Sequence, residues 1–385
     1  MDHVRDGQML DERGFTLIEL MISMVISSVI VAAGYTILTT TNKATISNER
    51  AVGTQQNTRI AMELIARDIK QAGFGMPLPL ATPVGGVAGN CAAGGVTVAI
   101  RPVDNNPAVP INAVNDTGAD TISLVVPRTN PSWYLNSPAP AGSATLTITL
   151  SVPAVTEMVN EGMQNGSGAY ISLGGAITLP VISSSGTTIT VGNPIMAPLF
   201  FPGSPTQPGA LGPGGIPAVG TQVYLLQCVT YQAQTGAGIC GTAGPCLTRT
   251  VDSGTAPTVT TPLVDGVEDL QFGYGCDGCN GTASNGVIDD FNGSNTFDQA
   301  DFQTNRVWTA GIFDPATIRL VQINIVARQT AIDQGTGEGV QAASLGGPLP
   351  VSDHLPSMDA GYVAATYQSF RRRFLTRTVD TRNLR

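Results

Sequence analysis

The order of apolar and polar positions divides the chain into a long helical start and a body of short strands. From Phe15 to Leu38 the residues are apolar or small, and Glu19 carries the only charge. As a helix these 24 residues span about 36 Å, which exceeds the ~30 Å hydrocarbon core of a bilayer. The pattern therefore predicts a membrane-spanning helix over residues 15–38.

The same helix is predicted to continue past the membrane as an amphipathic half over residues 39–73. This part contains no proline, Gly73 suits the position after a helix C-terminus, and Pro77 blocks continuation. An apolar stripe at helical spacing is formed by Ala61, Ile65, Ile69 and Ala72. We expect one helix of about 58 residues, half in lipid and half packed on a β-domain.

Past Pro77 the pattern changes to short β-rich runs separated by Gly, Pro, Asn and Ser, which predicts antiparallel strands. The fold class is therefore α+β, with the helix on a large antiparallel β-rich body. Predicted strands are Val96–Ile100, Thr121–Val126, Ala144–Leu150, Thr187–Val191, Thr221–Val229, Cys246–Val251, Asp269–Tyr274 and Thr317–Ala327. The stretch 202–220 has five Pro and six Gly and predicts a linker or loop between β-rich lobes 77–201 and 221–385.

Composition fits an extracytoplasmic body better than a cytosolic enzyme. Only 12% of residues are charged, and there are 45 Gly and 26 Pro, as in a loop-rich β protein of an exported compartment. The formal net charge of −9 argues against nucleic acid as the main partner.

The six cysteines all follow the apolar segment, so export would allow three disulfides in 15 pairings. Cys276 and Cys279 form a CxxC in a turn, where a small structural disulfide is expected rather than a redox or zinc site. Cys228, Cys240 and Cys246 would supply another, and Cys91 would pair with the cysteine left over.

The sequence around the first apolar residues resembles the class III signal of type IV pilins and type II secretion pseudopilins. Gly14 is followed by Phe-Thr-Leu-Ile-Glu-Leu and then by the membrane-length helix. The resemblance implies that residues 1–14 are a leader, that prepilin peptidase cuts between Gly14 and Phe15, and that Phe15 is N-methylated.

Glu19 would then be the family glutamate that pairs with the N-terminal amine of a neighbouring subunit. A carboxylate in lipid costs about 2.5–3.5 kcal/mol on insertion scales, so a partner is expected. A buried charge pair of this kind sets axial register in a helix bundle. The leader departs from the family pattern because it is rich in acidic residues, and we hypothesise that translation starts at Met9 rather than Met1.

The second half resembles the PilW-type minor pilins. The matching segments, in order, are LVDGVEDLQFGYG (263–275), IRLVQINIVARQ (318–329) and the closing YQSFRRRFLTRTVDTRNLR (367–385). The resemblance implies a minor pilin of a Gram-negative bacterium, held in the inner membrane with a periplasmic body and later built into a pilus or its priming complex. Its implied partners are other minor pilins, the major pilin, prepilin peptidase and the inner-membrane assembly machinery, without a small-molecule substrate.

An acidic stretch from Asp265 to Asp301 holds eight acidic residues and no basic one. Six oxygen-bearing side chains in it have the spacing of a calcium loop: Asp290, Asn292, Ser294, Thr296, Asp298 and Asp301. Against calcium, Asn295 replaces the usual glycine and no helical pattern flanks the loop. A solvated acidic loop is the preferred interpretation, and Ca²⁺ is the one cofactor left open.

The C-terminal run Arg371, Arg372 and Arg373 begins a predicted strand, where alternate side chains face opposite ways. A charged edge strand that resists aggregation is the ordinary interpretation. The more specific one is a docking edge for a neighbouring minor pilin.

No catalytic motif supports an enzyme. His3 and His354 are the only histidines, and the GxGxxG at Gly273–Gly278 precedes a polar loop instead of a helix. Two alternatives to a pilus protein remain: a J-like type II secretion pseudopilin, and a surface adhesin or calcium-binding module delivered by the pilin signal.

Overall fold

The protein is a long N-terminal helix whose distal half lies on an antiparallel β-rich body. In the computed structural model, the residues described are 15–74, 80–81, 89–93, 96–104, 117–128, 133–137, 145–149, 170–174, 177–185, 187–191, 220–241, 244–252, 259–279, 283–304, 306–308, 313–332, 351–359 and 361–384. The predicted leader 1–14 and most of the predicted linker 202–220 lie outside the described residues.

Helix α1 spans Leu17–Gln71 and is the one helix, within the described ranges, that is long and apolar enough to cross a membrane. Every residue from Phe15 to Leu38 is exposed, whereas the body buries the helix at positions from Ser47 onward. The helix ends as predicted: Ala72 is the C-cap, and Gly73 adopts a φ of +76°. The long-helix prediction is confirmed.

Besides α1, the described residues form sixteen strands, two short α-helices and five single-turn 3-10 helices. The strands are β1 (Leu80–Ala81), β2 (Ala92–Ala93), β3 (Val96–Thr97), β4 (Ile100–Val103), β5 (Thr121–Pro127), β6 (Trp133–Leu135), β7 (Thr145–Thr149), β8 (Tyr170–Leu173), β9 (Ile177–Ser185), β10 (Thr188–Val191), β11 (Gln222–Gln234), β12 (Cys246–Asp252), β13 (Val259–Asp265), β14 (Val267–Cys276), β15 (Ile318–Arg328) and β16 (Arg372–Asp380). The helices are α2 (Ala237–Cys240) and α3 (Ala364–Tyr367).

The large sheet is organised around β11. This 13-residue strand pairs with β5 and β12 along its C-terminal half and with β6 and β8 nearer its start. Strands from both sides of segment 202–220 therefore join one antiparallel sheet of ten strands. The division into lobes 77–201 and 221–385 stays a prediction.

The small sheet, β14–β15–β16, is also antiparallel and carries the helix. Its central residue Ile323 pairs with Phe272 on one side and Arg377 on the other. Asp120, just before β5, links the two sheets: its N donates to Leu270 O at 2.8 Å, and its Oδ2 accepts from Phe272 N at 3.0 Å.

One core lies between the helix and both sheets. The predicted stripe is fully buried at Ala61, Ile65, Ile69 and Ala72. It packs with Leu124, Tyr231, Phe272 and Ile323 in a single apolar cluster. Burial of this apolar surface stabilises the contact by about 25 cal/mol per Å², and it holds the amphipathic half of the helix on the body.

Gly266 forms the turn between β13 and β14. Its φ is +83°, and a Cβ there would lie 2.5 Å from the carbonyl oxygen of Arg328. That close approach allows Arg328 N to donate to Gly266 O at 2.7 Å. Both the positive φ and the backbone contact require glycine at this point of the GVE motif.

Candidate functional site

Glu19, the predicted assembly residue, caps the first turn of the helix together with Thr16. Thr16 is the N-cap: its hydroxyl accepts from Glu19 N at 3.3 Å, and the Glu19 carboxylate accepts from Thr16 N and Thr16 Oγ1, each at 2.9 Å. This capping box satisfies donors that the helix start would leave free. It also bonds the Glu19 carboxylate to Thr16, the residue that follows Phe15. Gly14, the other half of the predicted cleavage site, lies outside the described residues.

A buried carboxylate joins the distal helix to the large sheet. Asp68 is 2% exposed and accepts from the Tyr231 hydroxyl at 2.6 Å. Arg249 Nε lies 3.5 Å from the same carboxylate oxygen. Burial, and after it the charge of Asp68, raises the pKa of Tyr231 well above its ordinary value, so the phenol stays protonated and donates. The sequence did not single out Asp68, because its partners lie far along the chain.

The C-terminal region contacts the exposed side of the same helix. Arg377 Nη1 donates to Glu63 Oε2 at 2.5 Å. Asn383 Nδ2 donates to Lys70 O at 3.1 Å. The hydrogen bond and charge of Arg377 lower the pKa of Glu63. The last strand and the C-terminus therefore help to fix the angle at which the helix leaves the body.

All six cysteines are paired. The bonds are Cys91–Cys228, Cys240–Cys246 and Cys276–Cys279. The first closes a separation of 137 residues and ties the segment before β2 to β11. The other two are local, at the start of β12 and at the end of β14. The two short-range pairs leave Cys228, which pairs with Cys91.

The six calcium candidates lie in one loop, whose carboxylates bind backbone N–H groups. Asp290 Oδ1 accepts from Gly293 N at 2.7 Å, and Asp298 is held by the side-chain amide of Asn292 at 3.0 Å. Burial opposes ionisation of Asp290, but the N–H donors outweigh it and hold its pKa below the usual value.

Asp301, the last of these candidates, is fully buried rather than solvated. Its carboxylate accepts from Phe291 N at 2.8 Å and from Asp298 N at 2.7 Å. Ser294 bonds to Thr296 O at 2.7 Å, so all six candidates belong to one hydrogen-bonded loop. The structure places the candidates in one loop, where the carboxylates are bonded to N–H groups, and calcium binding stays a prediction.

The three arginines at the start of β16 have different surroundings. Arg372 is bound within the chain: its Nε and Nη2 donate to the Glu268 carboxylate at 2.5 and 3.0 Å, and its guanidinium lies over the Tyr367 ring. Arg373 is exposed, and Arg371 is half-buried. Arg373 is therefore better placed than Arg372 to contact another molecule.

His354, which the sequence left as an isolated loop residue, is the centre of a buried charge cluster. Its Nδ1 lies 2.7 Å from Asp269 Oδ2 and its Nε2 lies 2.8 Å from Asp359 Oδ1. Burial lowers the pKa of the imidazole, but the two carboxylates outweigh it and raise that pKa to about 10. The imidazolium thus fastens the segment 351–359 to β14. Nothing local in the sequence signals this pairing.

A cavity of about 450 Å³ lies beside this cluster. Its walls include Asp269, His354, Tyr362, Tyr367, Arg373 and Phe374. Acidic and basic groups in the wall are paired with one another at His354 and at Arg372, and aromatic and aliphatic side chains contribute the apolar surface.

Two family models match the chain. Residues 9–35 match the prokaryotic N-terminal methylation motif, and residues 230–383 match PilW, Type IV Pilus-assembly protein W. The second match runs from the C-terminal part of β11 through β16. It therefore includes Asp269 and Asp359, which bind His354, and also Tyr231 and Arg377, which bind the helix. Both models describe pilin-type proteins and so indicate a structural, non-enzymatic chain. No curated protein and no solved structure gives a significant match.

Proposed function

We propose that this chain, which its methylation motif and its PilW region identify as a PilW-like minor pilin of the type IV pilus, takes part in assembly or priming of that pilus. The observation that carries the proposal is the presence of both matches in one chain. The PilW region packs directly on the helix that the methylation motif begins, through β15 and β16. A filament-forming helix and an assembly region are therefore one continuous structure.

In this proposal prepilin peptidase cuts between Gly14 and Phe15 and methylates Phe15. The exposed apolar half of α1 then stays in the inner membrane as the anchor, with the body in the periplasm until the subunit enters the pilus. Support comes from the helix itself, because residues Phe15–Leu38 bury no side chain against the body. Such a surface needs lipid or other helices around it.

Glu19 is proposed to exchange its local partner for a neighbour's amine during assembly. In the single chain the carboxylate bonds to Thr16, which lowers the cost of a charge in lipid. Cleavage would create a positive amine at Phe15, and a neighbouring subunit at the right height would present that amine to Glu19. Other minor pilins, the major pilin and the inner-membrane machinery are the proposed partners. No catalytic role is proposed.

Deletion of the gene tests the proposed function, with complementation by the wild type, Glu19→Ala and Glu49→Ala. Glu49 is the matched control because it is an exposed glutamate on the same helix, beyond the apolar half. We expect deletion to reduce surface pili severalfold, with rescue by wild type and Glu49→Ala. Glu19→Ala should insert in the membrane at normal levels but restore few pili.

The alternatives give different results in the same strains. Normal piliation after deletion, together with loss of secreted proteins, would favour a type II secretion pseudopilin. Normal piliation and normal secretion, with loss of attachment alone, would favour a delivered adhesin.

A further inference from the structure

A second, smaller pocket lies where the helix meets the start of β16. It has a volume of about 270 Å³. Its walls come from the membrane-distal half of α1, from the residue that follows β15 and from the arginine run. The lining residues are Ala51, Thr54, Gln329, Arg371, Arg372 and Arg373. Among the described residues that line it there are three guanidinium groups and no carboxylate, so this part of the wall is basic although the chain has a net charge of −9.

Gln329 has an unsatisfied side chain in this wall. It is 2% exposed, and neither Nε2 nor Oε1 has a hydrogen-bond partner. Its backbone is fixed, because Gln329 N donates to Arg371 O at 3.0 Å. A buried polar group without a partner costs about 1–3 kcal/mol. An amide that offers one donor side and one acceptor side matches a peptide group, which offers the same pair.

The arginines supply the second half of the recognition. Because Arg372 donates to Glu268, its guanidinium adds positive charge to the pocket but has few N–H groups left for a ligand. Arg373 is exposed, and within the described residues no ion pair holds it. A guanidinium with open donors is suited to a carboxylate, which it binds in a bidentate manner.

The height of the pocket on the helix excludes a lipid headgroup. Ala51 lies 13 residues beyond Leu38, the last residue of the apolar run. In an α-helix that separation is about 20 Å, whereas the headgroup layer extends only about 5–8 Å beyond the hydrocarbon core. The occupant must therefore reach the pocket from the aqueous side.

We propose that this pocket receives an acidic segment of a neighbouring pilin subunit. An Asp or Glu carboxylate of that segment binds Arg373, and a main-chain amide beside it pairs with Gln329. The proposal rests on the proposed function, because side-by-side packing of helices in a filament is what brings a neighbour to Ala51 and Thr54. Filling the pocket would satisfy the buried amide only in the assembled state, so it would favour assembly over the free subunit.

Site-specific photo-crosslinking in piliated cells tests the proposal on the full chain. A benzoyl-phenylalanine in place of Gln55, an exposed residue one turn beyond Ala51, reports what lies against the pocket. We expect a crosslink to a pilin subunit, with the crosslinked peptide containing an Asp or Glu. Arg373→Glu should lower the crosslink yield about tenfold, because it places like charges together. Arg382→Glu is the matched control, since it makes the same charge change at another exposed arginine of the C-terminal segment.

Gln329→Leu separates recognition from a merely structural role. Replacing an unsatisfied buried amide by an apolar side chain of similar size should leave the thermal stability of the subunit unchanged or higher. The same variant should lower the crosslink yield severalfold if the amide binds a neighbour. A partner Asp or Glu changed to Arg should restore the crosslink to Arg373→Glu.

The proposal is overturned if Arg373→Glu crosslinks as well as Arg382→Glu, if the captured peptide has no acidic residue, or if Gln55 captures lipid, nucleic acid or no protein at all. Loss of pili on gene deletion together with any of these results would leave the proposed function standing and remove only the pocket. Normal pili on deletion would remove the proposed function itself.

Discussion

Tyr231 donates a 2.6 Å hydrogen bond to the buried carboxylate of Asp68, and this bond joins the helix that enters the membrane to the central strand of the large sheet. The two residues are 163 positions apart in the chain. Because the carboxylate is 2% exposed, its hydrogen bonds decide whether its burial is tolerated.

Asp68→Ala is therefore expected to loosen the junction of helix and body. It leaves the Tyr231 hydroxyl and the Arg249 guanidinium without their shared partner, which should cost about 3–5 kcal/mol. Tyr231→Phe leaves Arg249 near the carboxylate and should cost about 1–2 kcal/mol. Chemical denaturation of the full chain in detergent measures both. Equal costs for the two variants, or a cost no larger than that of the exposed control Gln55→Ala, would show that the junction does not depend on Asp68.

The stability of the PilW region should depend on pH through His354. Its pKa is raised from an ordinary 6.5 to about 10 in the fold, because two carboxylates hold the imidazolium. A group with a raised folded pKa stabilises fully below its unfolded pKa and loses that effect as pH rises through the folded pKa. The excess stability of wild type over His354→Gln should be largest below about pH 6.5 and should shrink toward pH 10. An excess that stays constant between pH 6 and pH 9.5 would refute the charged pair.

The long-range disulfide should stabilise the body more than the local ones. In the chain-entropy description, closing the 137-residue separation of Cys91–Cys228 contributes about 5 kcal/mol, and closing the six residues of Cys240–Cys246 contributes about 2 kcal/mol. The paired Cys→Ser variants of each bridge, compared by denaturant midpoint, measure the difference. A greater loss from the local bridge would contradict this order.

Calcium binding by the acidic loop is a prediction that calorimetry on the full chain in detergent can decide. If the loop binds Ca²⁺, we expect a Kd of about 10⁻⁴–10⁻³ M, as in extracellular modules. Asp290→Asn with Asp298→Asn should weaken it at least tenfold, whereas Asp289→Asn, a neighbouring carboxylate outside the six candidates, should not. Absence of heat at millimolar calcium would leave the loop as a hydrogen-bonded structural element.

The helix could be predicted from the sequence because its signals are local and periodic. The stripe from Ala61 to Ala72 predicted the buried face, and Gly73 predicted the end. The PilW-type segments correctly placed β14, β15 and the arginine strand β16. Strand β13 was missed, because it contains Pro262 and is largely exposed, so it lacks the alternation of a half-buried strand.

The contacts that hold the candidate sites were not predictable, because they join residues far apart. His354 and Asp269 are separated by 85 positions, and Arg372 and Glu268 by 104. In the sequence, each of these four residues has the pattern of an ordinary polar residue in a loop or at a sheet edge. The antiparallel order β14–β15–β16 brings Glu268 and Arg372 together, and the contact of segment 351–359 with β14 brings His354 to Asp269.

The mature N-terminus of the chain recovered from sheared pili tests the central claim most directly. Mass spectrometry of that fraction should find a peptide that begins at N-methylated Phe15 and none that contains residues 1–14. A chain that keeps residues 1–14, or that is absent from purified pili while present in the membrane of piliated cells, would contradict the account.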